Sequence, residues 1–351
     1  FFFNLDKLDS SIFNIYKDLP IRVLYDFHDI DVYFKSSDWV VKEGKLYTDI
    51  PSEYPLAANL LFGFCRVISN LFRLDSFTNN PYYSFIITWF FLGLSTWLVI
   101  IKNLDQIAGN NKIIKLCWIL PAALYFSVYR YDIFPTLFFI LSIAHLKRNK
   151  LLSSALYLGI SISLKGYALF TIPSIFYYLN YNFGFKKSSN FLIISILPLL
   201  IFNFSTLIFL GKAALEAPYE FHLLRTFNGE STWDALNLKF LVEKIPFFPT
   251  LITCITAIIG YFKKPRTIDR LANSCLLAIT GFVSSLIFYS PQFCLWMLSA
   301  ATFSKNKRVL ILTYFLCFFS FIYFPITYDI KDANETYYFI FKLFVLIVTY
   351  L

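Results

Sequence analysis

The chain has 351 residues, of which 58% are hydrophobic and only 15% charged, with a mean hydropathy of +0.60; a water-soluble globular domain is excluded. Its formal charge of +9 does not mark a nucleic-acid partner, because Lys and Arg fall in short clusters between apolar runs and no nucleic-acid-binding motif is present. The composition predicts an all-α polytopic membrane protein, since a helix of about 20 apolar residues crosses ~30 Å of hydrocarbon.

The chain opens Phe1-Phe2-Phe3 without an initiator Met, which reads as a clipped N-terminus and the tail of a lost helix. Residues 4–55 are polar and mixed, and are expected to form one long first loop. Apolar runs follow at roughly 56–73, 83–101, 114–129, 133–146, 151–164, 167–182 and 190–210, a core spanning 56–210. A polar segment, 211–246, forms a second loop. The remainder, 247–351, carries the C-terminal runs 247–262, 271–289, 292–303, 309–327 and 337–351. Several runs are shorter than about 17 residues, so some helices are expected to be tilted, broken or buried among others. Many of the 24 Tyr and 6 Trp sit at run ends, as interfacial belts require. Six cysteines, Cys65, Cys117, Cys254, Cys275, Cys294 and Cys317, all fall inside apolar runs with no CxxC spacing, and read as small buried hydrophobes rather than metal or redox ligands.

Four basic clusters punctuate the runs: Lys147-Arg148-Asn149-Lys150, Lys186-Lys187, Lys263-Lys264-Pro265-Arg266 and Lys305-Asn306-Lys307-Arg308. An even number of runs separates each neighbouring pair, so the positive-inside rule puts all four on the cytoplasmic face. Arg130-Tyr131-Asp132, Lys165, the loop 211–246 and Ser290-Pro291-Gln292 then fall on the outer face. Carried back to the start, the alternation fails by one crossing. Either 56–73, which contains Arg66, does not span, or a later short run is re-entrant.

Charged groups within or beside spans cost a few kcal/mol unless they are paired or wet, which makes them functional candidates. The first loop offers Asp26, His28, Asp29, Asp31 and Asp38, then Glu53-Tyr54-Pro55 at a helix entry. Arg130 and Asp132 sit between two runs with almost no loop, and Lys165 interrupts another pair. The plainest structural reading is a mutual Arg130–Asp132 ion pair, a snorkelling Lys165 and a helix-capping Glu53. In the second loop His222 and Arg225, three apart, would share a helix face able to receive a phosphate, with Glu230-Ser231 following. Pro291 ends a helix, and the Gln292 amide can bond a sugar or phosphate oxygen.

These motifs, in order, resemble the GT-C glycosyltransferases that use polyprenyl-phosphate sugars, most closely glycosyltransferase family 87. The resemblance rests on Asp29-Ile30-Asp31-Val32-Tyr33, Gly44-Lys45-Leu46-Tyr47-Thr48-Asp49, Glu53-Tyr54-Pro55, Arg130-Tyr131-Asp132-x-x-Pro135 with Lys165-Gly166-Tyr167, His222-x-x-Arg225 with Glu230-Ser231, and Ser290-Pro291-Gln292. Two departures, Leu56 and Ala168 where a Pro is usual, touch helix geometry more than chemistry. The resemblance implies a GT-C-type transmembrane bundle with a long first outer loop. It also implies inverting transfer of a hexose, expected to be mannose, from polyprenyl phosphate to a lipid-linked or glycan acceptor at the outer face of the plasma membrane. Asp29 is the leading base, with Asp31 second. Arg130, Lys165, His222 and Arg225 are candidate phosphate ligands, and Glu53, Tyr54, Asp132, Glu230 and Gln292 candidate sugar or acceptor contacts. No nucleotide-binding Gly-rich loop is present, which suits a lipid-phosphate donor. No metal ligand or further cofactor is assigned, and the expected partners are membrane lipids, donor and acceptor. A flippase would need gates on both faces, whereas these charges gather on one; a scaffold would need no such cluster.

Overall fold

The computed structural model describes residues 27–326 apart from Glu43, Arg73, Asn110 and 224–230. Among the described residues it is helical, its only β pairing an isolated bridge between Leu46 and Ile50. The longer helices are α1 (His28–Ser36), α2 (Leu56–Leu71), α3 (Pro81–Ala108), α4 (Lys112–Ile119), α5 (Pro121–Tyr129), α6 (Ile133–Lys147), α7 (Leu151–Leu164), α8 (Ile172–Phe183), α9 (Phe185–Leu210), α10 (Lys212–Leu223), α11 (Phe248–Phe262), α12 (Ile268–Ser285), α13 (Cys294–Ala301) and α14 (Lys307–Phe321). Among the described residues α3, α9 and the stretch Lys307–Ile326 are long and apolar enough to cross a membrane, and α4 with α5 passes the same test as a pair bent by 48°. The bend has a local cause: Leu120 precedes Pro121 and is pushed to ψ 147°, so α4 stops and α5 restarts with Pro at its first turn.

Helix starts follow capping chemistry. Asn80 accepts from the Tyr82 N–H at 2.8 Å ahead of α3, and Asn306 from the Arg308 N–H at 3.0 Å ahead of α14. Neighbouring helices pack antiparallel and close. The Ser161 hydroxyl donates to the Pro135 carbonyl at 2.8 Å and the Ser142 and Ser154 hydroxyls lie 3.2 Å apart, which sets α6 and α7 in register. A Cβ on Gly159 would fall 2.5 Å from the Ser195 carbonyl oxygen, so α7 and α9 touch backbone to backbone. α9 turns Ile193, Phe204, Ile208 and Phe209 outward, as a lipid-facing helix does.

The basic clusters meet at one end of the bundle. Lys147 donates to the Ile107 carbonyl at 3.1 Å and Arg148 to Gln106 at 2.9 Å. Asn111 reaches Ser304 at 3.5 Å, the Lys305 N–H bonds Asp269, and Asn182 reaches the Arg266 carbonyl at 3.3 Å, two residues before the Gly184 that starts α9 and its Lys186-Lys187. The junctions at Arg130 and Lys165 lie at the other end, since α6 and α7, of 15 and 14 residues, each carry the chain about 20 Å.

The parity conflict resolves at α2. Its contacts with α3 lie in the first turns of that helix: Phe62 against Trp89, Cys65 on the Phe85 carbonyl, and Arg66 donating to the Pro81 carbonyl at 3.1 Å. Its N-terminus adjoins Tyr54, whose ring meets Tyr131. Both ends of α2 therefore stay at the end opposite the basic clusters, so the run 56–73 does not cross. Arg66 is accommodated because it faces protein, under the ring of Phe34 at 4.6 Å.

Three other expectations change. Residues 27–55 are not a plain loop: Asp29 and Asp31 in the first turn and Lys35 in the last favour α1, whose Ile30 and Tyr33 are buried. The segment 211–246 likewise carries α10 and short helices at Thr232–Ala235 and Lys239–Lys244. Cys254 is exposed on α11, whereas the other five cysteines are buried. The expected clipped start and the run 337–351 lie outside the described residues.

In a background lacking native cysteines, Thr48→Cys and Asn237→Cys should react with an impermeant maleimide from the same side of sealed vesicles, and Asn149→Cys from the other. Labelling of all three from one side would overturn the two-ended arrangement.

Candidate active site

The Arg130-Tyr131-Asp132 junction is short because α5 ends in the extended conformation of Arg130 (φ −124°, ψ 144°) and α6 begins at once. α7 ends opposite it on Lys165, also extended, because the antiparallel α6–α7 pair brings the start of one beside the end of the other. The Lys165 ammonium reaches Asp132 Oδ1 at 2.8 Å. That oxygen also accepts from the indole N–H of Trp296, at 2.8 Å. Asp132 is fully buried, and its second oxygen, Oδ2, has no hydrogen-bond partner. The ammonium sits over the rings of Tyr131 at 4.4 Å and Trp296 at 4.9 Å, with Phe293 at 5.7 Å. Its charge thus has one carboxylate and three ring faces as neighbours.

α1 docks beside this pair. Asp29 and Tyr33 are four apart and share a helix face. Asp29 forms an ion pair with Arg130, and the buried Tyr33 hydroxyl lies 3.5 Å from the Tyr131 N–H, its ring against Phe62, Trp89 and Tyr131. Asp31 points elsewhere, to Lys35 at 2.5 Å. The Asp29–Arg130 pair lies among Phe27, Ile30, Tyr125 and Tyr129, and Phe324 lies under the guanidinium at 5.4 Å. The mutual Arg130–Asp132 pair is therefore not what forms. The two charges flank Tyr131 and each takes a separate partner.

Glu53 enters from the segment ahead of α2. Its carboxylate is within electrostatic reach of Lys165, Tyr33 and Tyr131, and Arg130 also acts on Lys165. The Tyr54 ring packs edge-on against Tyr33, Phe62 and Tyr131. Two links hold the segment: Tyr47 donates its hydroxyl to the Tyr54 carbonyl at 2.7 Å, and the amide of buried Asn59 donates to the same carbonyl at 2.7 Å. Tyr47 does so from the left-handed region (φ 72°), which costs an L residue about 1–2 kcal/mol.

The structure thus brings Asp29, Glu53, Tyr54, Arg130, Asp132 and Lys165 into one charged cluster. Gln292 precedes Phe293, whose ring faces Lys165, and is buried in the 3-10 turn Pro291–Phe293, its side-chain oxygen accepting from Ser290. His222 is exposed near the end of α10, edge-on to the ring of Phe221. Arg225 and Glu230 lie outside the described residues, and with them the shared helix face expected of His222 and Arg225. Trp296, which sequence reasoning missed, is a central member. It stacks on Tyr167 at 4.8 Å and on Phe293 at 4.1 Å. A tryptophan in the middle of an apolar run carries an N–H that must find an acceptor, which was the available signal. Among the described residues no group of three or more His, Cys, Asp or Glu side chains could hold a metal ion.

Chemically, the cluster offers carboxylates and cations side by side at one end of an apolar bundle, against aromatic walls. Such a set can accept a proton and balance an anion in surroundings of low dielectric.

No protein-family model matches the chain. Over 333 residues, 86% of this chain and 80% of the relative, it is 24% identical to GPI mannosyltransferase 1 of Candida albicans. This weak but extended likeness, with the apolar helices, supports a mannosyltransferase-like membrane glycosyltransferase.

Proposed function

We propose that the protein is a GT-C-type transferase, akin to family 87, that moves mannose from a polyprenyl-phosphate donor to a lipid-linked or glycan acceptor by an inverting mechanism. The observation that carries this reading is the placement of the Asp29–Arg130 and Asp132–Lys165 pairs on either side of Tyr131, in a chain similar to a mannosyltransferase. The acceptor hydroxyl oxygen attacks the anomeric carbon and forms the new glycosidic bond. The bond from that carbon to the phosphate oxygen breaks, and polyprenyl phosphate leaves with the electron pair. Asp29 takes the acceptor proton, while Arg130 and Lys165 balance charge on the departing phosphate. Glu53 orients sugar hydroxyls, the buried Asp132 holds Lys165 in place, Tyr54 and Gln292 border the acceptor, and His222, Arg225 and Glu230 of the second loop are further candidate donor contacts. With the basic end cytoplasmic, the site faces outward from the plasma membrane. The relative's name makes a GPI-type glycolipid the first acceptor to offer.

The test is incubation of purified protein with radiolabelled polyprenyl-phosphate mannose and a lipid extract. A new labelled glycolipid is expected. No transfer to any lipid or glycan, with the donor still bound and recovered intact, would replace the transferase with a binding or transport role.

A further inference from the structure

We infer that Tyr47 and Asn59 are positioning residues that fix the chain on both sides of Glu53 and so hold its side chain at the site, a role that rests on reading Glu53 as a substrate contact. Glu53 is strapped on both sides. Ahead of it, the Ser52 hydroxyl donates to Asn59 Oδ1 at 2.9 Å and receives the Tyr54 N–H at 3.3 Å. Behind it, the Tyr54 carbonyl takes two donors at 2.7 Å, the Tyr47 hydroxyl and Asn59 Nδ2, while the same Nδ2 lies 3.1 Å from the Tyr47 oxygen and 3.3 Å from the Pro55 carbonyl.

Asn59 is fully buried, with both ends of its amide engaged on the backbone and side chains around Glu53. It sits one turn into α2, one turn before the Phe62 that packs on Tyr33 and Tyr131. The strap therefore ties Glu53 to the helix that walls the site, beside the Tyr54 ring that meets Tyr131. Tyr47 reaches its bond only by adopting φ 72°, inside a turn closed by its own N–H on the Ile50 carbonyl at 2.8 Å and by the Asp49 carboxylate on the Lys45 N–H at 2.8 Å. Glycine would take that conformation without strain. The side chain present is the one with a hydroxyl at the distance the Tyr54 carbonyl requires, so the hydroxyl accounts for the residue.

Two readouts test this. Tyr47→Phe, which removes one oxygen, should lower kcat for mannosyl transfer about 10- to 100-fold, because misplacing a group by about 1 Å costs that much. KM for the lipid donor and the thermal unfolding midpoint should stay near the parent values. Tyr47→Gly, which relieves the backbone but also lacks the hydroxyl, should remain as slow. The second readout needs no activity. In a cysteine-free background, Glu53→Cys should react with maleimide about 2- to 10-fold faster when Tyr47→Phe is added, the factor one ordinary hydrogen bond gives. An unchanged labelling rate, or recovery of kcat in Tyr47→Gly, would overturn the inference. If the parent protein transfers no hexose, the transferase reading falls while the labelling rates still decide whether the strap holds Glu53.

Discussion

Asp132→Ala is expected to destabilise the folded protein by about 3–5 kcal/mol, the cost of leaving one member of a buried ion pair without its partner. Asp132 is fully buried, and its Oδ1 is the acceptor for both the Lys165 ammonium and the Trp296 indole at 2.8 Å. Truncation strands a cation among Tyr131, Phe293 and Trp296 and leaves a buried N–H without an acceptor. Ring faces offset part of that, each contact contributing roughly 0.5–2 kcal/mol, which is too little to replace the carboxylate. The double variant Asp132→Ala with Lys165→Met removes both charges and should recover most of the loss. Denaturation midpoints of the purified protein in detergent report both. If the double variant proved less stable than Asp132→Ala alone, the ion pair would not be the origin of the effect.

The second large effect is on turnover. Asp29→Asn preserves shape and can still accept from Arg130, but it cannot take a proton, and mannosyl transfer should fall about 10²–10⁴-fold, the usual contribution of a general base. Donor affinity should change little. Arg130→Gln should instead weaken both donor binding and turnover, because it removes charge matched to the phosphate in the ground and transition states. Asp31→Asn should have a small effect, since Asp31 is held by Lys35 in a partly exposed pair away from the cluster. If Asp31→Asn were inactive and Asp29→Asn near normal, the base would move by two residues. Full activity in both and in the double variant would dismiss the acidic pair.

How much could be read without coordinates depended on whether the signal was local. Mean hydropathy and recurring apolar runs were enough for an all-helical membrane chain, because a span is defined by its own composition. The basic clusters likewise imply their common end, which the bonds of Lys147, Arg148, Asn182 and Lys305 then show in space. Charges beside hydrocarbon stood out as candidates because each costs free energy wherever it stands unpaired.

Partners were a different matter. Arg130 and Asp132 are two residues apart, yet they take Asp29 and Lys165, which are 101 and 33 residues away in the chain. An extended junction between two helices points neighbouring side chains to different sides, and only the packing of α1 on one side and α7 on the other supplies the complementary charge. The same holds for α2, whose apolar run reads as a span until Phe62, Cys65 and Arg66 are seen against the first turns of α3. Trp296 comes to Asp132 across 164 residues, where no local pattern reaches. Sequence by itself determined the solvent, the apolar helices and the common basic end; tertiary structure alone decided which charge neutralises which, because pairing depends on antiparallel packing between segments far apart in the chain.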